Sequence, residues 1–405
     1  MRGYNRRSLF RAGAAMAGTA ALGGGGILLP NLTAVQAAPA GPDCGTEYRG
    51  SQPRSTTELG DWHARAEAAT ALEPALPIVD PHHHLFGSPD DRLFYELGDL
   101  QRDLDSGHRI IGTVYVEAYD SGWRETDPEE MRPVGETEKI VGLTAAPVQS
   151  RTGECQVAAG IVCHADLTLG DNVADVLAAH VAAADGRLRG LRHRTATVEG
   201  NIACVTPGMP RAHLLVDADF HRGFAQLEAF DLSFDAWIYH TQIGELVDLA
   251  DAFPNTTIVI NHIAAPIGVA EFSGRRTETL QEWEAGIKAL AERPNTRMKI
   301  GGMGMPILGY GFELRETPAS ATEMAQAWQL RIATCIEVFG TDRCMFESNF
   351  PVDKQSGSYC EVWNAFKLAT QGASPKERSD LFYRTACRTY RLPALEALGD
   401  QAFAE

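Results

Sequence analysis

Two histidines separated by one residue, His82 and His84, follow the short apolar run Ile78-Val79. On a strand, successive side chains alternate between faces, so these two imidazoles share one side and His83 points to the other, in a structural role. Imidazoles placed this way can grip one metal ion or steady one oxyanion. The competing reading is a polar loop carrying three solvated histidines. The strand directly before the motif, and a series of similar strand ends further along, favour a working site. Those later ends supply Glu117, His164 and Asp166, Arg192 and His193, His240, His262 and Asn349.

The elements that must hold these residues are short β-branched runs, each with a polar or glycine-rich end followed by a helical pattern. There are eight: 78–80, 109–117, 157–163, 188–193, 232–239, 257–262, 297–302 and 343–349. Between them, Asn172–Ala184 has the spacing of an amphipathic helix, and Gln242–Phe253 stops at Pro254. Ser320-Ala321-Thr322-Glu323 is a capping box opening a helix to Phe339, and Tyr359–Thr370 and Pro375–Arg384 complete the helical set. The fold class is α/β. A doubly wound sheet has the same local signature, but polar residues spread over many strand ends suit a single-domain (β/α)8 TIM barrel, with one mouth shared by all strands. Ala196–Leu215 and Tyr310–Thr317 are expected insertions at that mouth.

The chain divides into residues 1–37, a leader at 38–75 and the barrel at 76–405. Paired arginines Arg6-Arg7, an apolar run and small residues before Ala37 make 1–37 a twin-arginine signal peptide, which implies a periplasmic or secreted protein. An uncleaved anchor is the alternative, and the glycines at 23–26 weaken a spanning helix. Removing 1–37, with four arginines and no acidic residue, takes the net charge from −17 to −21. That balance argues against nucleic acid or an anionic membrane as partner and leaves a small-molecule substrate. The oligomeric state is left open. The eight cysteines form no Cys-x-x-Cys, and several lie in apolar strands as packed thiols. There is no Gly-x-Ser-x-Gly elbow, Walker loop or dinucleotide fingerprint.

The runs Val79-Asp80-Pro81-His82-His83-His84-Leu85, Gly190-Leu191-Arg192-His193 and Phe234 through Gln242 carry a resemblance, together with Ile260-Asn261-His262, Lys299-Ile300-Gly301-Gly302 and Phe339 through Pro351. From about Pro77 to Leu392 the chain resembles the amidohydrolase-related barrels (amidohydrolase family 2), in their lactonase-like branch. The resemblance implies a hydrolase whose metal or hydrolytic water is surrounded by His82, His84, His240, His262 and, in the final position, Asn349. The family has aspartate there. Asparagine offers a carbonyl oxygen but cannot accept a proton near neutral pH, and its neutrality weakens cation binding. Asp353, Glu347 and Glu117 are the carboxylates able to compensate, with Asp353 the favoured base. Asp353 could instead pair with Lys354, and Glu347 with a buried arginine. Arg192 and His193 either orient a substrate oxyanion or form a structural ion pair, and Glu117 and Glu347 are further candidate substrate contacts.

The reaction expected is water attack on a small lactone or similar cyclic ester. His82, His84 and His240 either hold one divalent ion, zinc by preference, or stabilise the oxyanion directly without metal. Non-oxidative decarboxylation on the same barrel is the enzymatic alternative. A ligand-binding barrel that lost catalysis at Asn349 is the non-enzymatic one.

Overall fold

A computed structural model describes residues 53–118, 121–199 and 210–404. The signal peptide expected at 1–37, part of the leader and of the 196–215 excursion, and Cys44 and Cys204 lie outside the described residues.

All eight predicted runs form strands: β1 (Pro77–His83), β2 (Arg109–Val116), β4 (Gly153–Cys163), β5 (Leu188–Leu191), β6 (Ser233–Ala236), β7 (Ile258–Ile260), β8 (Thr296–Ile300) and β9 (Cys344–Phe346). Neighbours are parallel in the order β1-β2-β4-β5-β6-β7-β8-β9. Just past β9 the ring meets β1: Asn349 N donates to His82 O at 3.0 Å and His84 N to Phe350 O at 2.8 Å. The result is a nearly closed eight-stranded barrel in a single α/β domain. An additional short strand, β3 (Val148–Ser150), pairs antiparallel with the start of β4. It lies at the entry end of β4 and leaves the barrel order intact.

The helices follow their predicted signals. Val173–Ala183 and Ile243–Ala252 form where the apolar period requires them, and Ala321–Phe339 starts from Ser320, whose hydroxyl accepts from Glu323 N while Glu323 returns the bond. The predicted helix over 375–384 is instead α-helical only to Ser379 and continues through a π-type turn, Asp380–Arg384, into Thr385–Thr389.

Strand alternation sorts the side chains. Phe234, Ala236, Met298, Ile300 and Phe346 face outward into the layer between sheet and helices. Val79, Val114, Val116, Val162, Val259 and Met345 fill the interior, which Tyr390, Leu392 and Leu395 plug from below. The same inward face carries Asp235, Lys299 and Glu347, all fully buried. Three ionisable groups in that interior are costly unless paired, and they mark where chemistry is held.

The described part of the leader grips the mouth. Its helix Thr56–His63 packs so that Trp62 Nε1 donates to Arg315 O at 3.0 Å, while the Arg54 guanidinium donates to Glu313 O and Arg315 O. The segment Tyr310–Thr317 is thereby pinned at the rim.

Candidate functional site

The site forms where β1, β7 and β9 end. His82 and His84 share a face, their Nε2 atoms 3.2 Å apart, while His83 turns away and pairs with Thr113 Oγ1 at 2.8 Å. Proton positions follow from the partners. His84 Nδ1 lies 2.8 Å from Val116 O, a pure acceptor, so that nitrogen carries the hydrogen and His84 Nε2 the lone pair. His82 Nδ1 faces the pure donor Lys299 Nζ at 3.3 Å and so keeps the lone pair, which leaves the hydrogen on Nε2, facing His84.

That lone pair faces Glu347. Glu347 Oε2 lies 2.7 Å from His82 Nδ1, yet without the alignment of a hydrogen bond, and the oxygen is buried with no hydrogen-bond partner. The other oxygen, Oε1, accepts from His262 Nδ1 at 2.7 Å and from His262 N at 3.0 Å. Burial pushes the pKa of both imidazoles down, for His82 reinforced by Lys299 and for His262 opposed by Glu347. Two neutral imidazoles and one carboxylate suit a zinc-like ion, and an unused oxygen beside a lone-pair nitrogen is what such an ion would satisfy. His82, His262 and Glu347 are the only group of three such side chains among the described residues with ligand atoms close enough for this, within 4.8 Å of one another.

Backbone geometry aims these groups. His262, Ile263 and Ala264 have φ of 55°, 52° and 55°, a left-handed turn of non-glycine residues costing roughly 1–2 kcal/mol each. It directs both the ring and the backbone N–H of His262 at one carboxylate oxygen, and Trp283 Nε1 holds it by donating to Ile263 O at 2.6 Å. Opposite, Gly301 and Gly302 allow close approach: a Cβ at 301 would collide with Glu347 and one at 302 with the His262 ring.

Two buried ion pairs flank His82. Lys299 Nζ lies 2.7 Å from Asp235 Oδ2 and 3.3 Å from His82 Nδ1. Asp235 also accepts from Asn261 Nδ2 and, on both oxygens, from Tyr390. Arg192 Nε donates to Glu117 Oε1 and Nη2 to Glu117 O, both at 2.6 Å, with Nη1 3.3 Å from His82 Nε2. Each cation beside the imidazoles is thus matched by a carboxylate. Of the three carboxylates Asp235, Glu117 and Glu347, only Glu347 has no lysine or arginine partner among the described residues, so its side of the centre is where a metal ion fits.

The remaining predicted residues are placed as follows. His240 is not brought to this group; its ring edge meets Phe272 at 5.3 Å, Nδ1 lies 3.4 Å from Ile267 N, and Nε2 is buried without a hydrogen-bond partner. Of the predicted ligand set His82, His84 and His240, His82 lies in the group that converges with His262 and Glu347, while the residues after β6 turn His240 toward Phe272. His193 accepts from Leu167 N and packs against His164 and Phe220. Asn349 has φ of 54°, a conformation asparagine tolerates, and its Nδ2 donates to Asp353 Oδ1 at 2.8 Å. Asp353 Oδ2 accepts from Gly304 N, and burial raises this carboxyl well above the ordinary range. Lys354, the alternative partner considered for Asp353, pairs with Asp103.

Lys299, Asp235 and Tyr390 were not expected at the site. A lysine between Met298 and Ile300 in an apolar strand was the available signal; Tyr390 had none, being 155 residues from Asp235.

A family described as amidohydrolase matches residues 79–392. An uncharacterized protein of Sinorhizobium fredii is 33% identical over 334 residues, 78% of this chain and 99% of that protein. L-fucono-1,5-lactonase of Burkholderia multivorans is 32% identical over 183 residues, 44% of this chain and 57% of the lactonase. Among solved structures, an amidohydrolase from Burkholderia multivorans with bound zinc superposes with a TM-score of 0.57 at 23% identity, covering 78% of this chain and 99% of that one. A putative 2-pyrone-4,6-dicarboxylic acid hydrolase from Pseudomonas putida gives 0.53 at 17%, covering 78% and 98%. At these identities the solved structures speak to the fold.

Proposed function

The chain belongs to the amidohydrolase family, and on that premise we propose that it opens a small lactone or similar cyclic ester by attack of water on the ring carbonyl. The observation that carries this reading is the convergence of His82 and His262 on Glu347 at the strand ends, with Arg192 and Lys299 beside them. A relative named as a lactonase supports the choice of cyclic ester.

In this reading His82, His262 and Glu347 would hold a divalent ion, zinc by the donor set, which would supply Lewis-acid polarisation of the carbonyl. Arg192, fixed by two bonds to Glu117, presents its cation to the oxygen on which charge develops. Asp353 takes the proton of the attacking water; burial makes this carboxylate more basic than usual, and Asn349 Nδ2 and Gly304 N hold it still. Lys299, held by Asp235, helps keep the His82 imidazole neutral and so able to act as a ligand. The twin-arginine segment at 1–37 supports action outside the cytoplasm, which fractionation of an expressing cell would test.

The test is turnover of a lactone panel by the full chain and by His82→Ala, with ring opening and carbon dioxide release followed together. Equal ring opening in both proteins removes the cluster from the mechanism. Carbon dioxide in place of ring opening replaces hydrolysis with decarboxylation.

A further inference from the structure

A second cluster lies at the rim of the mouth, between the loops that follow β7 and β8. Arg276 begins the helix Arg276–Ala291, and Arg331 sits on Ala321–Phe339. Both guanidiniums approach the ring of Tyr310, with Cζ 5.4 and 5.7 Å from its centroid. Phe312 stacks parallel to that ring at 5.8 Å.

The cluster is built rather than incidental. Arg276 Nη1 is anchored on Leu308 O at 2.7 Å, next to Gly309-Tyr310. It fits there because Gly268 has no side chain: a Cβ at 268 would collide with Arg276 Nη1 and Leu308 O, and one at Gly309 with Gly268. Two glycines in backbone contact thus make the space in which the guanidinium meets the phenol.

What the cluster lacks is an anion. Acidic residues outnumber basic ones 53 to 36 in the chain, yet among the described residues neither Arg276 nor Arg331 has an acidic partner. Burial lowers the pKa of Arg276; Tyr310 opposes that shift, and the like charge of Arg331 adds to it. The Tyr310 hydroxyl and Arg331 Nε are both buried without a hydrogen-bond partner. Two like charges and two orphaned donors in one place are unfavourable by themselves, and one oxyanion accepting from all of them removes both costs. A purely structural clasp, in which Tyr310 holds the arginines by cation–π contact, accounts for the ring geometry but leaves the orphaned donors unexplained.

We propose that Arg276, Arg331 and the Tyr310 hydroxyl form a binding site for a small oxyanion, a carboxylate or a phosphate. The site is independent of the lactone reading, since none of its residues belongs to the group around Glu347.

The experiment is thermal unfolding of the full chain at constant ionic strength, titrated separately with inorganic phosphate and with malonate. A saturable rise in Tm is expected with at least one anion. Arg331→Met should weaken the apparent affinity about tenfold or more, with Tyr310→Phe weakening it less. Saturation by phosphate alone assigns a phosphate, and by malonate alone a carboxylate. Should Arg331→Met fail to fold, Arg331→Lys, which keeps the charge and loses the fork, takes its place. Absence of a saturable shift with either anion, or the same midpoint in the variants, overturns the site in favour of the clasp.

Discussion

The centre and the rim of this mouth treat charge in opposite ways. Around His82 the cations are answered, Lys299 by Asp235 and Arg192 by Glu117, and the remaining carboxylate, Glu347, is closed upon by two imidazoles. At the rim two guanidiniums share one phenol and meet no carboxylate among the described residues. A compensated network fixes geometry, since moving any member strands a charge in the interior. An uncompensated one costs little to disturb and has binding capacity to spare. Substitutions at the two places should therefore differ in kind.

The largest effect is expected from Asp235→Asn, which leaves Lys299 in the barrel interior without its counter-charge. Chemical denaturation should show a loss of about 3–5 kcal/mol, and a loss below 1 kcal/mol would mean that the centre is not the rigid partner in the comparison. Glu347→Gln removes the negative charge on which both imidazoles converge, so turnover of the lactone proposed as substrate should fall about 10²–10³-fold while the fold persists. Zinc uptake, read by elemental analysis after loading and desalting, should fall with it. Gly302→Ala puts a methyl group against the His262 ring at a backbone φ of 62°; a stability loss of about 1–3 kcal/mol is expected, with reduced turnover.

Glu136 adds a pH-dependent member beside the Glu117 side of the centre. It accepts from Tyr115 Oη, Ala118 N and Trp123 Nε1, and burial, helped by Glu117, raises its pKa to about 7. A carboxyl whose folded pKa exceeds its unfolded value of 4.5 stabilises the protein at low pH. That contribution is lost as pH rises through the folded value. Relative to Glu136→Gln, the stability of the natural protein should decline by roughly 1–3 kcal/mol between pH 4.5 and 7; parallel curves for the two proteins would refute the shift. The smallest effect belongs to the rim: without added anion, Arg331→Met should change stability by less than about 0.5 kcal/mol in either direction.

Much of the fold was legible because it depends on local patterns. The eight strands, the Ser320 cap and the outward turn of His83 all follow from periodicity and capping chemistry within a few residues. The site was legible in its strand ends and less so in its assignments. Which side chains meet depends on the register with which the ring closes, and no local pattern encodes that. Glu347 was recognisable as an inward neighbour of Asn349, but its position between His82 and His262 requires β1, β7 and β9 to come together. Asn349 shows the converse. The change from the family's aspartate read as a lost charge, whereas the structure gives it a partner: its amide donates to Asp353, where an aspartate would set two carboxylates against each other.

The hydroxyl of Tyr390 beneath Asp235 has a consequence for how the chain is made. Asp235 and Lys299 are synthesised well before the residue that completes their hydrogen bonds, and the plug of Leu392 and Leu395 follows it. During synthesis the barrel floor stays open until the segment from Tyr390 to Leu395 has left the ribosome. The mouth of the barrel therefore acquires its final polarity only when the segment around Tyr390 docks, so a chain interrupted before Tyr390 would form a barrel whose mouth is present and whose foundation is missing.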